Sequence, residues 1–218
     1  MLREYGKRVL FCTASLALFG FGNFLGVKAG AAGTNAWNTL ALGLSENFPV
    51  SFGGATLLIS AVIIVIDLMG KGKLGFGTIL NVLLIPFFSD LFLAVFEAVP
   101  SASGALAGAV CTLLGQVVIS FAAILYMMPG LGCGPRDTLM ILIGRRFPKA
   151  PIGTVKFGME MAVLLAGALM GAPLGLGTVL VLALQAGIFQ MACRITRYEP
   201  RNVTHESFGD TWRRLTGQ

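Results

Sequence analysis

Lys156 and Glu160 stand four residues apart in an apolar run from Ile152 to Met170, so on a helix they share one face. If that run crosses a bilayer, each charge costs about 2.5 to 3.5 kcal/mol, and ionisable residues at such depth mark solute or proton pathways by default. Glu160 then lies about 13 Å in, near the midplane, and Lys156 about 7 Å in. Lys156 can snorkel back to the surface. Glu160 cannot, so it is paired with Lys156, held neutral, or turned toward water in a cavity, where a carboxylate can relay a proton.

A second charged pair, Arg136-Asp137, follows Gly132-Cys133-Gly134-Pro135. Either the two neutralise each other, or Arg136 offers its planar fork to a carboxylate or phosphate while Asp137 orients it. Trp37-Asn38 occupies the equivalent place about a hundred residues earlier. Asn81, Asp90, Gln116 and Gln185 are the other polar residues at depth, with Gln190 as the repeat-mate of Asp90. For the amides, interhelical hydrogen bonds compete with solute contact as the explanation. Asp67, close to Lys71 and Lys73, reads as a surface pair at the membrane edge.

Other chemistries find no footing. There is no Ser/His/Asp set, phosphate loop or HExxH motif, and the one histidine, His205, lies in a polar tail. Cys12, Cys111, Cys133 and Cys193 form no CxxC pair and read as small buried residues rather than metal ligands. The expectation is a protein that is not an enzyme and holds no cofactor or metal.

The elements that must position these residues are set by composition. Apolar residues make up 56% of the 218 positions and charged residues 12%, about half the usual charged share of a soluble domain. Apolar runs at about 9–27, 52–69, 76–96, 104–128, 152–170 and 174–193 each suffice for one crossing. None alternates as a barrel strand would. The sequence therefore predicts an all-α integral membrane protein of six crossings. Basic residues gather on one side: Arg3, Lys7 and Arg8; Lys71 and Lys73; Arg136, Arg145, Arg146 and Lys149; then Arg194, Arg197, Arg201, Arg213 and Arg214. Only Lys28 falls opposite, so the net charge of +6 is a topology signal with both termini cytoplasmic, not a nucleic-acid footprint. Cleavage of the first run as a signal peptide would leave five spans and spoil this asymmetry. Cytoplasmic placement also empties the Asn202-Val203-Thr204 sequon of meaning, and Trp212 suits a tail lying on the lipid surface.

The chain repeats itself. Gly75-Phe76-Gly77-Thr78 aligns with Gly175-Leu176-Gly177-Thr178 at an offset of one hundred, and Thr39-Leu40 with Thr138-Leu139 at one fewer. Residues 1–103 form a first three-helix copy, 104–195 a second, and 196–218 a polar tail. Three crossings per copy invert the second copy relative to the first, an arrangement common in secondary transporters, whose solute sites lie where the copies meet. Each copy also holds a Gly-led segment of about ten helical residues, enough for only about 15 Å, which must lie in the interface or dip in and return. Asn35 or Thr34 suits the start of the first and Pro135 the start of the second. The glycine pairs Gly22/Gly26, Gly104/Gly108 and Gly167/Gly171 have the spacing for close helix contact.

GTNAWNTL, GCGPRDTLM, the GFGTILN and GLGTVL turns, and the fifth run TVKFGMEMAVLLAGALMGAPLG resemble the YczE/YitT-like bacterial membrane proteins over residues 8 to 195. That resemblance implies six helices in a bacterial cytoplasmic membrane. Where the family's first copy reads Gly-Pro-Trp-Asp, this chain has Asn35-Ala36-Trp37-Asn38 and lacks the acid. The combined expectation is a permease for a small polar or anionic solute, with Glu160 as the candidate for proton coupling. Its partners are the solute and membrane lipid, with a homodimer left open. A passive channel and a non-transporting assembly subunit are the alternatives.

Overall fold

A computed structural model describes residues 2–72, 74–149, 152–198 and 206. Lys73, most of the polar tail, the sequon and the residues His205, Trp212, Arg201, Arg213 and Arg214 lie outside the described residues. The fold is all-helical: α1 (Leu2–Lys28), α2 (Ala36–Asn47), α3 (Phe52–Met69), α4 (Phe76–Val95), α5 (Ala105–Met127), α6 (Pro135–Arg146), α7 (Ile152–Leu169) and α8 (Leu176–Thr196), with a 3₁₀ turn at Gly30–Ala32. Among the described residues there is no strand, only an isolated antiparallel bridge between Gly33 and Leu174.

Helices α1, α3, α4, α5 and α8 are long and apolar enough to cross a membrane. Their outward faces carry Leu106, Val62, Val65, Val179 and Ile195 in the open. In water such faces would drive association; against lipid they are at home. Helix α7, expected as the fifth crossing, is 18 residues long, carries Lys156 and Glu160, and is not among those five. Helix α4 is continuous through Pro86. Proline is tolerated in such helices because neighbouring groups can satisfy the freed carbonyl.

The two halves are interleaved rather than side by side: α1 packs on α5, α2 on α7 and α3 on α6. One buried core joins Cys12 and Leu16 of α1 to Ile85 of α4, Ile124 of α5 and Ala192 and Cys193 of α8. A second joins Ala41 of α2 to Phe52, Ala55 and Ile59 of α3.

The glycine-led turns show why these residues recur. Gly77 N–H donates to Leu131 O at 2.7 Å and Thr78 Oγ1 to Cys133 O at 2.7 Å, seating the loop before α6 on the start of α4. The loop before α2 sits correspondingly on the start of α8, where a Cβ on Gly177 would meet Gly33 O at 2.8 Å and Ala32 O at 2.9 Å. Each half's loop thus docks on the other half's final helix. Of the spaced glycines, Gly22, Gly26, Gly108 and Gly167 face backbone or side chains too close for a Cβ, whereas Gly104 and Gly171 have open space and serve positive φ of 89° and 87°.

Asp67 corrects the expectation of a surface pair. It is fully buried, and neither carboxylate oxygen has a hydrogen-bond partner among the described residues. The cause is tertiary. α6 packs against α3, and Thr138 and Asp67 both crowd the Gly72 turn.

Candidate functional site

All eight helices of the described residues contribute to one cavity of about 480 Å³. Arg136, Asp137, Lys156, Glu160, Trp37, Asn38, Asn81, Gln116 and Gln185 line it together. Asp90 does not. It accepts a hydrogen bond from Gly53 N–H at 2.6 Å and another from Ser51 Oγ, and so caps the start of α3.

The two short helices deliver their first turns to the cavity. Asn35 begins α2, its side chain accepting from Asn38 N–H at 3.0 Å, which orients Trp37 and Asn38 inward. Helix α6 starts differently. Gly134 has no side chain to cap with, Pro135 occupies the first helical position, and Gly134 N–H donates instead to Tyr126 Oη at 3.1 Å. The Tyr126 hydroxyl in turn donates to Asp137 Oδ2 at 3.3 Å.

Arg136 and Asp137 are therefore not an ion pair. The Arg136 guanidinium lies 4.5 Å above the Trp37 ring. No carboxylate of a described residue comes within salt-bridge distance of it, the sole ion pair among them being Arg8–Glu206 at 2.9 Å. A cation over an indole face is held by the ring quadrupole while its in-plane N–H donors stay free.

Glu160 is 5% exposed, accepts a hydrogen bond from Gln185 Nε2, and makes no salt bridge with Lys156. The Lys156 ammonium sits 5.8 Å from the Phe189 ring instead. Glu160 thus lines the cavity without an ion pair to Lys156. Two basic and two acidic side chains thus border one space with no salt bridge among them, and ionisable groups at such depth are costly for a scaffold alone.

Residues 6–194 match the family of unknown function DUF6198. The chain belongs to that family. It is similar to the uncharacterized membrane protein YczE of Bacillus subtilis (strain 168), with 31% identity over 193 residues covering 88% of each chain. An uncharacterized protein of Haemophilus influenzae is 33% identical over 174 residues, covering 80% of this chain and 78% of its own. No solved structure matches. With the five apolar helices, membership makes this a multi-pass membrane protein.

Several cavity residues carry neither a charge nor an amide, Thr56 and Ser60 of α3, Ser120 of α5 and Tyr126, and Asn23 of α1 adds an amide not picked out from the sequence. A signal did exist for some: Thr56/Ser60 and Gln116/Ser120 are four apart, so each pair stripes one helix face with polar groups inside apolar runs. Cys133 also lines the cavity, its Sγ 3.3 Å from Thr138 Oγ1; no disulfide joins any of the four cysteines among the described residues, and Cys12 and Cys193 are buried.

Proposed function

We propose that this chain is a permease of the bacterial cytoplasmic membrane, built as a six-helix inverted repeat with both termini cytoplasmic, that carries a small polar anionic solute through the central cavity. Helix α7 is the sixth crossing in this reading, and Glu160 on it takes up the coupling proton. The observation that carries the proposal is the convergence of Arg136, Asp137, Lys156 and Glu160, with no salt bridge among them, on one cavity to which every described helix contributes. The exchange of loops between the halves supports the inverted repeat, because two copies related by a twofold axis make each contact twice. Trp37 and Arg136 are repeat-mates in contact, as residues on such an axis would be.

The test is uptake. Proteoliposomes are loaded from a mixture of small metabolites under an inward proton gradient, and their lumen is read by mass spectrometry against protein-free vesicles. One anionic class should accumulate, saturate with concentration and fall to background in Glu160→Gln. Flux that neither saturates nor responds to the gradient would mean a channel. No accumulation, or equal accumulation in Glu160→Gln, defeats the proposal.

A further inference from the structure

We infer that the central cavity is built for a monocarboxylate with an apolar body, its carboxylate held in plane by Arg136 above Trp37. The inference deepens the permease reading and rests on it for its biological meaning, although binding itself can be measured without transport.

Four observations lead to this class. First, Arg136 is braced but unspent. The indole takes one face of the guanidinium at 4.5 Å, no ion pair reaches it among the described residues, and Asp137 is engaged with Tyr126 Oη. A braced fork with free in-plane donors matches the two oxygens of a carboxylate. Second, the same lining carries further polar side chains, Asn38, Asn81, Gln116 and Ser120 among them, which suits a solute with a polar end.

Third, the space suits an organic molecule. At about 480 Å³ it falls in the range of small-molecule pockets, and a bare phosphate or halide would leave most of it unfilled. Phe19, Ile85, Ile119, Met127, Met159 and Phe189 give it a long apolar wall, which an inorganic anion could not use. Fourth, the charges count in favour of a monoanion. Arg136 and Lys156 balance Asp137 and Glu160, so an arriving monoanion leaves one surplus negative charge, which one proton on Glu160 cancels. A dianion would leave two, and the cavity offers only one arginine fork.

The experiment is ligand binding to the purified full-length protein in detergent, by thermal unfolding and calorimetry. The probes are phenylacetate and hexanoate, their amides phenylacetamide and hexanamide, and inorganic phosphate. A carboxylate should raise the unfolding temperature in a concentration-dependent way while its amide does not. Arg136→Gln should weaken carboxylate binding about tenfold to a hundredfold, the loss expected for hydrogen bonds to a charged group. Arg136→Lys, which keeps the charge and loses the fork, should fall between. If Arg136→Gln does not fold, Arg136→Lys and Trp37→Leu decide, since both should weaken carboxylate binding.

Equal shifts by acid and amide, unchanged affinity in all these variants, binding of phosphate alone, or binding of no carboxylate would overturn the inference. Carboxylate binding without vesicle uptake would sink the permease reading and leave this one standing. Saturable, proton-driven uptake of another anion, such as inorganic phosphate, with no carboxylate binding would do the reverse.

Discussion

The beginnings of α2 and α6 fill matching places in the two halves and solve the same problem by different means. Helix α2 caps itself with Asn35 and presents uncharged Trp37 and Asn38; α6 has glycine at its cap, borrows Tyr126 from α5, and presents Arg136 and Asp137. One half thus supplies a platform and the other the charge that rests on it. The two short helices start in like places and differ in chemistry at their tips, Asn35-Ala36-Trp37-Asn38 in one and Gly134-Pro135-Arg136-Asp137 in the other. In the permease reading, two unlike tips suit a polar solute, which has a direction, better than two identical ones would.

The sharpest way to break the comparison is at the loops that lead into these helices. Gly33 has φ of 76°, and a Cβ there would run into Thr178 Oγ1 and lie 2.9 Å from Gly175 N. Its counterpart Gly132 also has positive φ, 128°, but its nearest neighbour is Gly75 Cα at 3.0 Å. Gly33→Ala should therefore cost about 3 kcal/mol, from backbone strain and overpacking together, and Gly132→Ala less. Unfolding temperatures of the two variants, measured side by side, check the order.

Next in size is Tyr126→Phe. It strips the Gly134 N–H of its acceptor and Asp137 of a donor, a loss of about 2 kcal/mol for buried groups left unpaired. Thermal unfolding measures that loss, and a smaller one would mean that α6 does not depend on α5 for its cap. Asn35→Ala is the smallest of the three. Removing a side-chain cap costs about 1 kcal/mol, and the drop should appear in the same melts. Were it to exceed that of Tyr126→Phe, the contrast between a self-capped and a borrowed start would fail.

Much of this was legible in the sequence, and the reasons are local. The bounds of α3 follow from an apolar run between Ser51 and Gly70, and the start of α6 from Pro135, because caps and prolines act over a turn or less. Lys156 and Glu160 drew attention because charge in an apolar run is rarely idle. What sequence could not supply was which helix stands opposite. Asp90 carries the same signal as Glu160, yet the start of α3 lies against it and uses its carboxylate as a cap. Asp67 has basic neighbours in sequence, yet α6, some seventy residues on, is what buries it. Tyr126 looks like one more apolar residue at a helix end until Gly134 is folded onto it.

The crossed seating of the loops bears on how such a chain is made. Residues 131–133 find their berth on α4, already synthesised when they emerge, but Ala32 and Gly33 wait for α8, the last of the described helices. The earlier corner must stay unlatched through most of translation, so neither half is a finished object while the other is missing. A nascent chain halted after α7 would hold every charged group of the cavity and still lack the wedge that closes its first corner.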